Sequence, residues 1–276
     1  MKGLIRIVIA FSCFGLFSNA LANVEIKSDV IYGHKDGMAM VYDVIRPENP
    51  NGAAVVFMVS GGWFSNWAPA EERVERFSYF LDAGFTLIPV HHGSSPRYHV
   101  PDAYSDVSRA IRHIKMNAND YGIDAERIGV TGGSAGGHLS LMLGLDSDTG
   151  KTNADDPVMQ HSNKVAAVVA YFPPVDLRPL AGPSERFPAL NFAPEIAASI
   201  SPILHVDPQD PPTLLIHGDA DTLVDIENSQ IMHAEFNKHN VATDFITIPG
   251  GGHGFTGNDA DKAAAATVAW FEKYLN

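Results

Sequence analysis

Apolar and polar positions alternate along this chain in two periods, and the periods take turns. Residues 24–31 and 39–45 carry the strand period on either side of Asp36-Gly37, which predicts an opening β-hairpin. Residues 53–59 form a continuous apolar run, as expected of a strand buried on both faces. Residues 69–81 then read as one helix with Val74, Phe77 and Leu81 on a stripe, followed by a strand over 85–90. Residues 102–117 give the clearest helical pattern, with Ala103, Val107, Ala110, Ile111 and Ile114 on one face. A short strand over 127–131 runs almost directly into a helix over 135–145, and 165–171 reads as another buried strand. Residues 173–212 are crowded with prolines, from Pro173 and Pro174 to Pro211 and Pro212, which forbids a long helix or a central strand there. The chain closes with a strand over 213–217, a helix over 226–240, a strand over 243–248 and a helix over 259–275. Strands separated by helices imply an α/β fold, a mostly parallel sheet covered by helices on both faces. A site on such a sheet is expected at the carboxyl ends of its strands.

The first 22 residues stand apart from this pattern. Lys2 and Arg6 precede an apolar stretch from residue 7 to 17, and Ala20-Leu21-Ala22 closes it. This is the form of a cleavable export signal, cut after Ala22, with 23–276 as a single domain and 173–212 as an irregular cap insertion. The apolar stretch is too short for a comfortable membrane span. The single cysteine, Cys13, would leave with it, so disulfide, thiolate-metal and cysteine-nucleophile chemistry are excluded from the remaining chain. The expected address is periplasmic or secreted, with no membrane attachment after cleavage.

Composition narrows the partners. Hydrophobic residues make up 45% of the 276, enough to exclude a disordered chain. Asp and Glu total 32 against 19 Lys and Arg, a formal net charge of −13. A surface of that sign repels nucleic acid and anionic membranes, so neither is expected as a partner.

The chemistry gathers at three loops. Gly132-Gly133-Ser134-Ala135-Gly136-Gly137 lies between a predicted strand and helix and contains G-x-S-x-G. A serine in that tight turn projects its oxygen above the sheet edge. Its neighbours must be small because strand and helix approach closely, and the Ala135 N–H points with the helix N-terminus at a developing oxyanion. No lysine follows, so the loop is not a Walker phosphate loop. Serine needs a base, and His253, among glycines after the strand over 243–248, supplies one. The imidazole needs an acid. Asp221, after the strand over 213–217, is chosen over Asp219, which is placed to pin its turn, and Asp225, which suits the cap of the next helix. A second oxyanion donor is expected from Gly61, Gly62 and Trp63 after the strand over 53–59; Trp63 either walls the pocket or lends its own N–H.

The order Ser134, Asp221, His253 is that of the α/β-hydrolases. The segments 121–138, 217–224 and 252–255 resemble the carboxylesterase branch of that superfamily, which includes bacterial feruloyl and acetylxylan esterases and hormone-sensitive-lipase-like enzymes. The resemblance covers residues 24–276. It implies an α/β-hydrolase fold, Ser134 as nucleophile, His253 as base, Asp221 as orienting acid, and oxyanion donors at Ala135 and within 61–63. It implies no cofactor and no metal, and a small-molecule or carbohydrate ester as substrate. Prolyl-oligopeptidase-type serine peptidases carry similar triad segments behind a long propeller, which this chain lacks. A binding protein on a hydrolase scaffold is the non-enzymatic alternative, and the intact triad argues against it.

One position departs from the family. The oxyanion loop there usually begins with histidine, a loop support with no chemical role; here the place falls on Val59 or Ser60 depending on alignment. His91 and His92 end a strand, where adjacent side chains point to opposite faces and cannot easily share an ion. Arg97 and Tyr98 follow them, placed either to reach substrate or to serve the surface. The charges of 70–73 and 102–115 read as solvated helix faces.

Overall fold

The computed structural model describes residues 24–276; the segment read as an export signal lies outside the described residues. β1 (Glu25–Lys35) and β2 (Met38–Arg46) pair antiparallel across Asp36-Gly37. Both turn residues have positive φ, 50° and 80°, the backbone that lets a two-residue loop follow the twist of its strands. After β3 (Ala54–Met58), the single helix expected over 69–81 is two: α1 (Ala70–Arg76) and α2 (Ser78–Asp82). The break is at Phe77, whose φ of −118° and ψ of 24° leave the helical range; its ring packs on Phe57 at 4.5 Å and Phe80 packs on Phe271 at 6.1 Å. β4 (Thr86–Val90), α3 (Val100–Met116), the short α4 (Ala118–Tyr121), β5 (Ile128–Gly133) and α5 (Ala135–Leu145) follow. β6 (Ala167–Tyr171) leads into the proline-rich segment, which holds only short 3₁₀ turns. β7 (Thr213–Gly218), α6 (Glu227–Lys238), β8 (Thr243–Ile248) and α7 (Asn258–Leu275) complete the chain.

The strands form one sheet in the order β1-β2-β4-β3-β5-β6-β7-β8, parallel from β4 onward and antiparallel at the hairpin edge. This is the α/β-hydrolase arrangement. Alternate residues feed two cores. Val56, Met58, Val130 and Leu215 pack with α3, α5 and α6, whereas Val55, Leu87, Val169 and Ile216 pack with α1, α2 and α7. α5 is buried along its whole length, which its glycines permit: a Cβ on Gly144 would stand 2.8 Å from Val168. No helix among the described residues is long and apolar enough to cross a membrane.

Several charges expected on solvated faces are buried. Arg73 packs near Asp43 beneath the hairpin, Asp106 bonds Lys35 at 2.7 Å and the Gly93 N–H at 2.8 Å, and Arg112 holds Asp148 through both terminal nitrogens at 2.9 and 2.7 Å. The helical period places these groups toward neighbours that local sequence does not reveal: the hairpin for Lys35, and the loop after α5 for Asp148.

His91, His92 and His138 are buried, and burial, the largest influence on each, pushes their pKa values down to about 4. Folded histidines therefore refuse protons that the unfolded chain accepts below its ordinary value of 6.5. Stability should fall as pH drops from about 6.5 toward 4, by about 1.4 kcal/mol per pH unit for each such histidine. Urea unfolding at pH 7, 6 and 5 measures this; a flat profile would contradict it, and His138→Leu should make the slope shallower.

Candidate active site

The geometry begins at the bend between β5 and α5. Ser134 has φ 55° and ψ −118°, a strained backbone for a residue with a side chain, and it is held there from both sides. Its N–H donates to Tyr171 O at 2.9 Å, and its carbonyl accepts the His138 N–H at 2.9 Å. The neighbouring glycines leave no room for a Cβ. One on Gly132 would lie 2.6 Å from the Gly136 carbonyl carbon, one on Gly136 2.9 Å from Met58 O, and one on Gly137 2.9 Å from Tyr171 O. The bend is thus backbone packed on backbone, and Ser134 stands half-buried at its apex.

His253 lies in the loop after β8, in the turn closed by Gly254 N–H to Gly252 O at 2.9 Å. Its Nδ1 is 2.7 Å from Asp221 Oδ2. A carboxylate only accepts, so Nδ1 carries the proton and Nε2 keeps its lone pair. The Asp221 side chain has no solvent exposure, while that of His253 keeps 20%. Burial alone would raise the Asp221 carboxyl, but the bond from His253 and two backbone N–H groups, Leu223 at 2.8 Å and Val224 at 3.0 Å on Oδ1, outweigh it and lower its pKa. Asp219 instead accepts the Gly250 N–H at 2.6 Å, tying the β7 loop to the loop that carries His253, and Asp225 accepts the Glu227 N–H at the start of α6.

Two residues at this site escaped the sequence reading. His217 is fully buried at the end of β7, with Nε2 donating to Val224 O at 2.9 Å and standing 3.3 Å from Asp221 Oδ2, and Nδ1 accepting from Ser229 Oγ at 2.8 Å. It braces the loop that presents the carboxylate. Phe172, at φ 37°, packs tilted against the His253 ring with centroids 4.6 Å apart, and a Cβ on Gly133 would lie 3.0 Å from its edge. Its ring therefore spans from the neighbour of Ser134 to His253. Gly133 and Gly254 line one cleft of about 360 Å³ with Phe172 and Phe255, so both loops open on the same space. Among the described residues no hydrogen bond joins the Ser134 hydroxyl to His253.

The oxyanion candidates sort themselves by their bonds. Gly61 and Phe64 exchange both backbone hydrogen bonds at 3.0 Å, around Gly62 and Trp63 with φ of 57° and 60°. The Gly61 N–H is committed inside this turn, a correction to its place among the donors. Among the described residues, the N–H groups of Gly62, Trp63 and Ala135 donate to no protein acceptor. Trp63 is buried edge-on against His138 at 5.6 Å, and His138 Nε2 donates to Ile200 O of the proline-rich segment at 2.8 Å. Phe187 of that segment covers Gly62, where a Cβ would meet its ring at 3.1 Å. Just before the turn, Ser60 Oγ donates to His92 Nε2 at 2.8 Å, because Nδ1 of that ring is occupied in donating to Gly93 O at 2.9 Å. His91 turns to a different partner, Ser65 Oγ at 3.4 Å. Arg97 and Tyr98 both reach Asp36 of the hairpin turn, at 3.4 and 2.9 Å.

Comparison with known proteins agrees with this architecture. The BD-FAE family model matches residues 42–236. The chain is 29% identical to Esterase LipC of Mycobacterium tuberculosis over 82% of this chain and 59% of that protein. It is 28% identical to Esterase LipQ of the same organism over 83% and 57%. It thus spans less than two thirds of the length of these curated relatives. A solved structure described as a truncated form of carbohydrate esterase from gut microbiota superposes with a TM-score of 0.77 at 29% identity, covering 93% of this chain and 98% of that one.

If the bend depends on backbone contact, Gly132→Ala should be far more damaging than a glycine-to-alanine change on the surface. Loss of about 2 kcal/mol or more is expected, read as a lower urea midpoint, because neither Gly132 nor Gly136 can move aside. Gly252→Ala, with nothing within 4 Å of its Cβ, is the control and should be nearly neutral.

Proposed function

The chain belongs to the BD-FAE family, and on that premise we propose that it is an exported serine carboxylesterase working through an acyl-enzyme on Ser134. The observation that carries the proposal is the 2.7 Å bond from His253 Nδ1–H to a buried, ionised Asp221, which leaves Nε2 with a free lone pair to act as the base. Contacts between a resting nucleophile and its base are often long and tighten only with substrate bound. As Ser134 Oγ attacks the ester carbonyl, His253 Nε2 takes its proton, and the new C–O bond moves the carbonyl electrons onto oxygen. Ala135 N–H and an amide of the Gly62-Trp63 turn receive that charge, with about 3–4 kcal/mol of transition-state stabilisation per donor. The imidazolium, balanced by Asp221, then returns its proton to the alcohol oxygen as the C–O bond breaks. Water repeats the sequence on the acyl-enzyme and releases the acid.

Small carboxylic esters and acyl groups on sugars or polysaccharides are the proposed substrates. The likeness to a carbohydrate esterase and the acid-rich composition, which disfavours polyanionic substrates, support this choice. Export rests on the character of residues 1–22.

The test is hydrolysis of 4-nitrophenyl esters of graded chain length, with labelling by a fluorophosphonate probe. Ser134→Ala should lose both labelling and turnover; retained turnover would end the mechanism. Asp221→Asn should lower kcat by on the order of 10³–10⁴, because an amide can fix the wrong tautomer of His253.

A further inference from the structure

A second cleft, of about 460 Å³, opens at the same end of the sheet as Ser134, on its hairpin side. β2 runs antiparallel to β4, with Tyr42 opposite Val90, so the start of β2 lies beside the carboxyl end of β4. The floor is the apolar start of β2, from Met38 to Val41, and the walls come from Ser65 to Trp67 and from His91 to Tyr98. Trp67 is 60% exposed, the highest among the large exposed hydrophobic residues, and Met38 beside it is 39% exposed.

The indole is not a loose surface ring. Its Nε1–H donates to Asp29 Oδ1 at 2.9 Å. Asp29 has φ 52° where the register of β1 slips between Lys27 and Val30, and its own N–H is bound to Asp43 Oδ1 at 2.9 Å. The irregular strand therefore carries a carboxylate to the edge of the ring. With the N–H so occupied, the aromatic face is what remains to be used, and ordering it costs little on binding. Around it stand hydrogen-bonding groups: the Arg97 guanidinium, 58% exposed and 5.6 Å from the Tyr98 ring, and the Ser94 hydroxyl, with the largely buried His91 ring as part of the wall behind them.

An apolar face ringed by donors and acceptors is the complement of a pyranose, which has a face of C–H bonds and an equatorial rim of hydroxyls. We infer that the cleft walled by Trp67, Met38, His91, Ser94 and Arg97 is a saccharide subsite, holding a neutral sugar residue of the substrate away from the ester being cleaved. The inference rests on the reading of the protein as an esterase of acylated sugars and adds where the rest of the sugar chain lies. The spacing fits. Four residue steps separate Trp63 of the oxyanion turn from Trp67, a reach of at most about 14 Å. β5 and β4 are separated by β3 alone, which sets their spacing at roughly 10 Å. The subsite is therefore too far from Ser134 to touch the reacting carbonyl, yet within reach of one oligosaccharide. The walls are also continuous: the Ser65 N–H donates to Ser94 Oγ at 3.0 Å, and the Ser95 N–H to Trp63 O at 3.0 Å.

The binding test uses the full protein carrying Ser134→Ala, titrated with xylohexaose, cellohexaose and mannohexaose while indole fluorescence is followed. At least one should change the fluorescence saturably, and Trp67→Ala in the same background should abolish that change while Trp67→Phe keeps binding by calorimetry. No binding of any of the three, or binding that survives Trp67→Ala, overturns the subsite. With Ser134 intact, the ratio of kcat/KM on acetylated xylo-oligosaccharide to that on 4-nitrophenyl acetate should fall about tenfold in Trp67→Ala; an unchanged ratio also overturns it. A protein that binds the oligosaccharides but hydrolyses no ester would instead defeat the esterase reading and leave the subsite standing.

Discussion

Three glycines around Ser134 bring backbone against backbone at distances no side chain could share, and the rest of the site takes its position from that contact. Gly132 meets Gly136 across the bend, Gly136 meets the end of β3, and Gly137 meets the end of β6. The same packing that strains Ser134 therefore sets how near it stands to the Gly61–Phe64 turn after β3 and to Phe172 after β6. The strain is held in place by the bonds from Ser134 N–H to Tyr171 and from His138 N–H to Ser134, so it cannot relax without opening a strand–helix junction in the middle of the sheet.

Asp221 meets the opposite problem. A carboxylate with no solvent exposure is costly unless its lone pairs are filled. Here two backbone N–H groups fill one oxygen and His253 the other, with His217 Nε2 at 3.3 Å behind it. The arrangement keeps the acid charged and fixes the tautomer of His253 at once. His217 contributes through the loop: by bonding Val224 O it closes the turn whose amides hold Oδ1. The two loops that must meet are joined again by Asp219, whose bond to Gly250 N–H lies outside the reacting groups.

The sheet, the bend at Ser134 and the meeting of Asp221 with His253 are legible because each is written locally: a continuous apolar run, a glycine cluster between strand and helix, a polar residue just past a strand end. His217 and Phe172 were hidden because their importance is a matter of register. Nothing near residue 172 says that its ring will pack on residue 253, since that depends on β6 and β8 flanking β7. Gly61 illustrates a finer limit. The sequence Ser60-Gly61-Gly62-Trp63 does not say which residues occupy the centre of the turn, and only their φ values separate the amides that are used from those left free. The break at Phe77 is equally invisible locally, because the apolar stripe is compatible with one helix while the Phe77 backbone, at φ −118° and ψ 24°, leaves it.

The turn proposed to hold the oxyanion is supported here by a hydrogen bond from a different part of the chain. Where the resemblance leads one to expect a histidine, this chain has Val59-Ser60, and the Ser60 hydroxyl reaches His92 at the neighbouring strand end. His92 can accept that bond only while neutral, and burial keeps it so: its pKa lies near 4, and its one proton sits on Nδ1 facing Gly93 O. The support is thus rebuilt from β4 in place of the loop itself. The rebuilt support also ties the turn to the strand end that walls the Trp67 cleft, since Ser65 and Ser94 connect the same two segments. A change that loosened His92 would therefore be felt on both sides of the turn, at the amides of Gly62 and Trp63 and at the indole of Trp67.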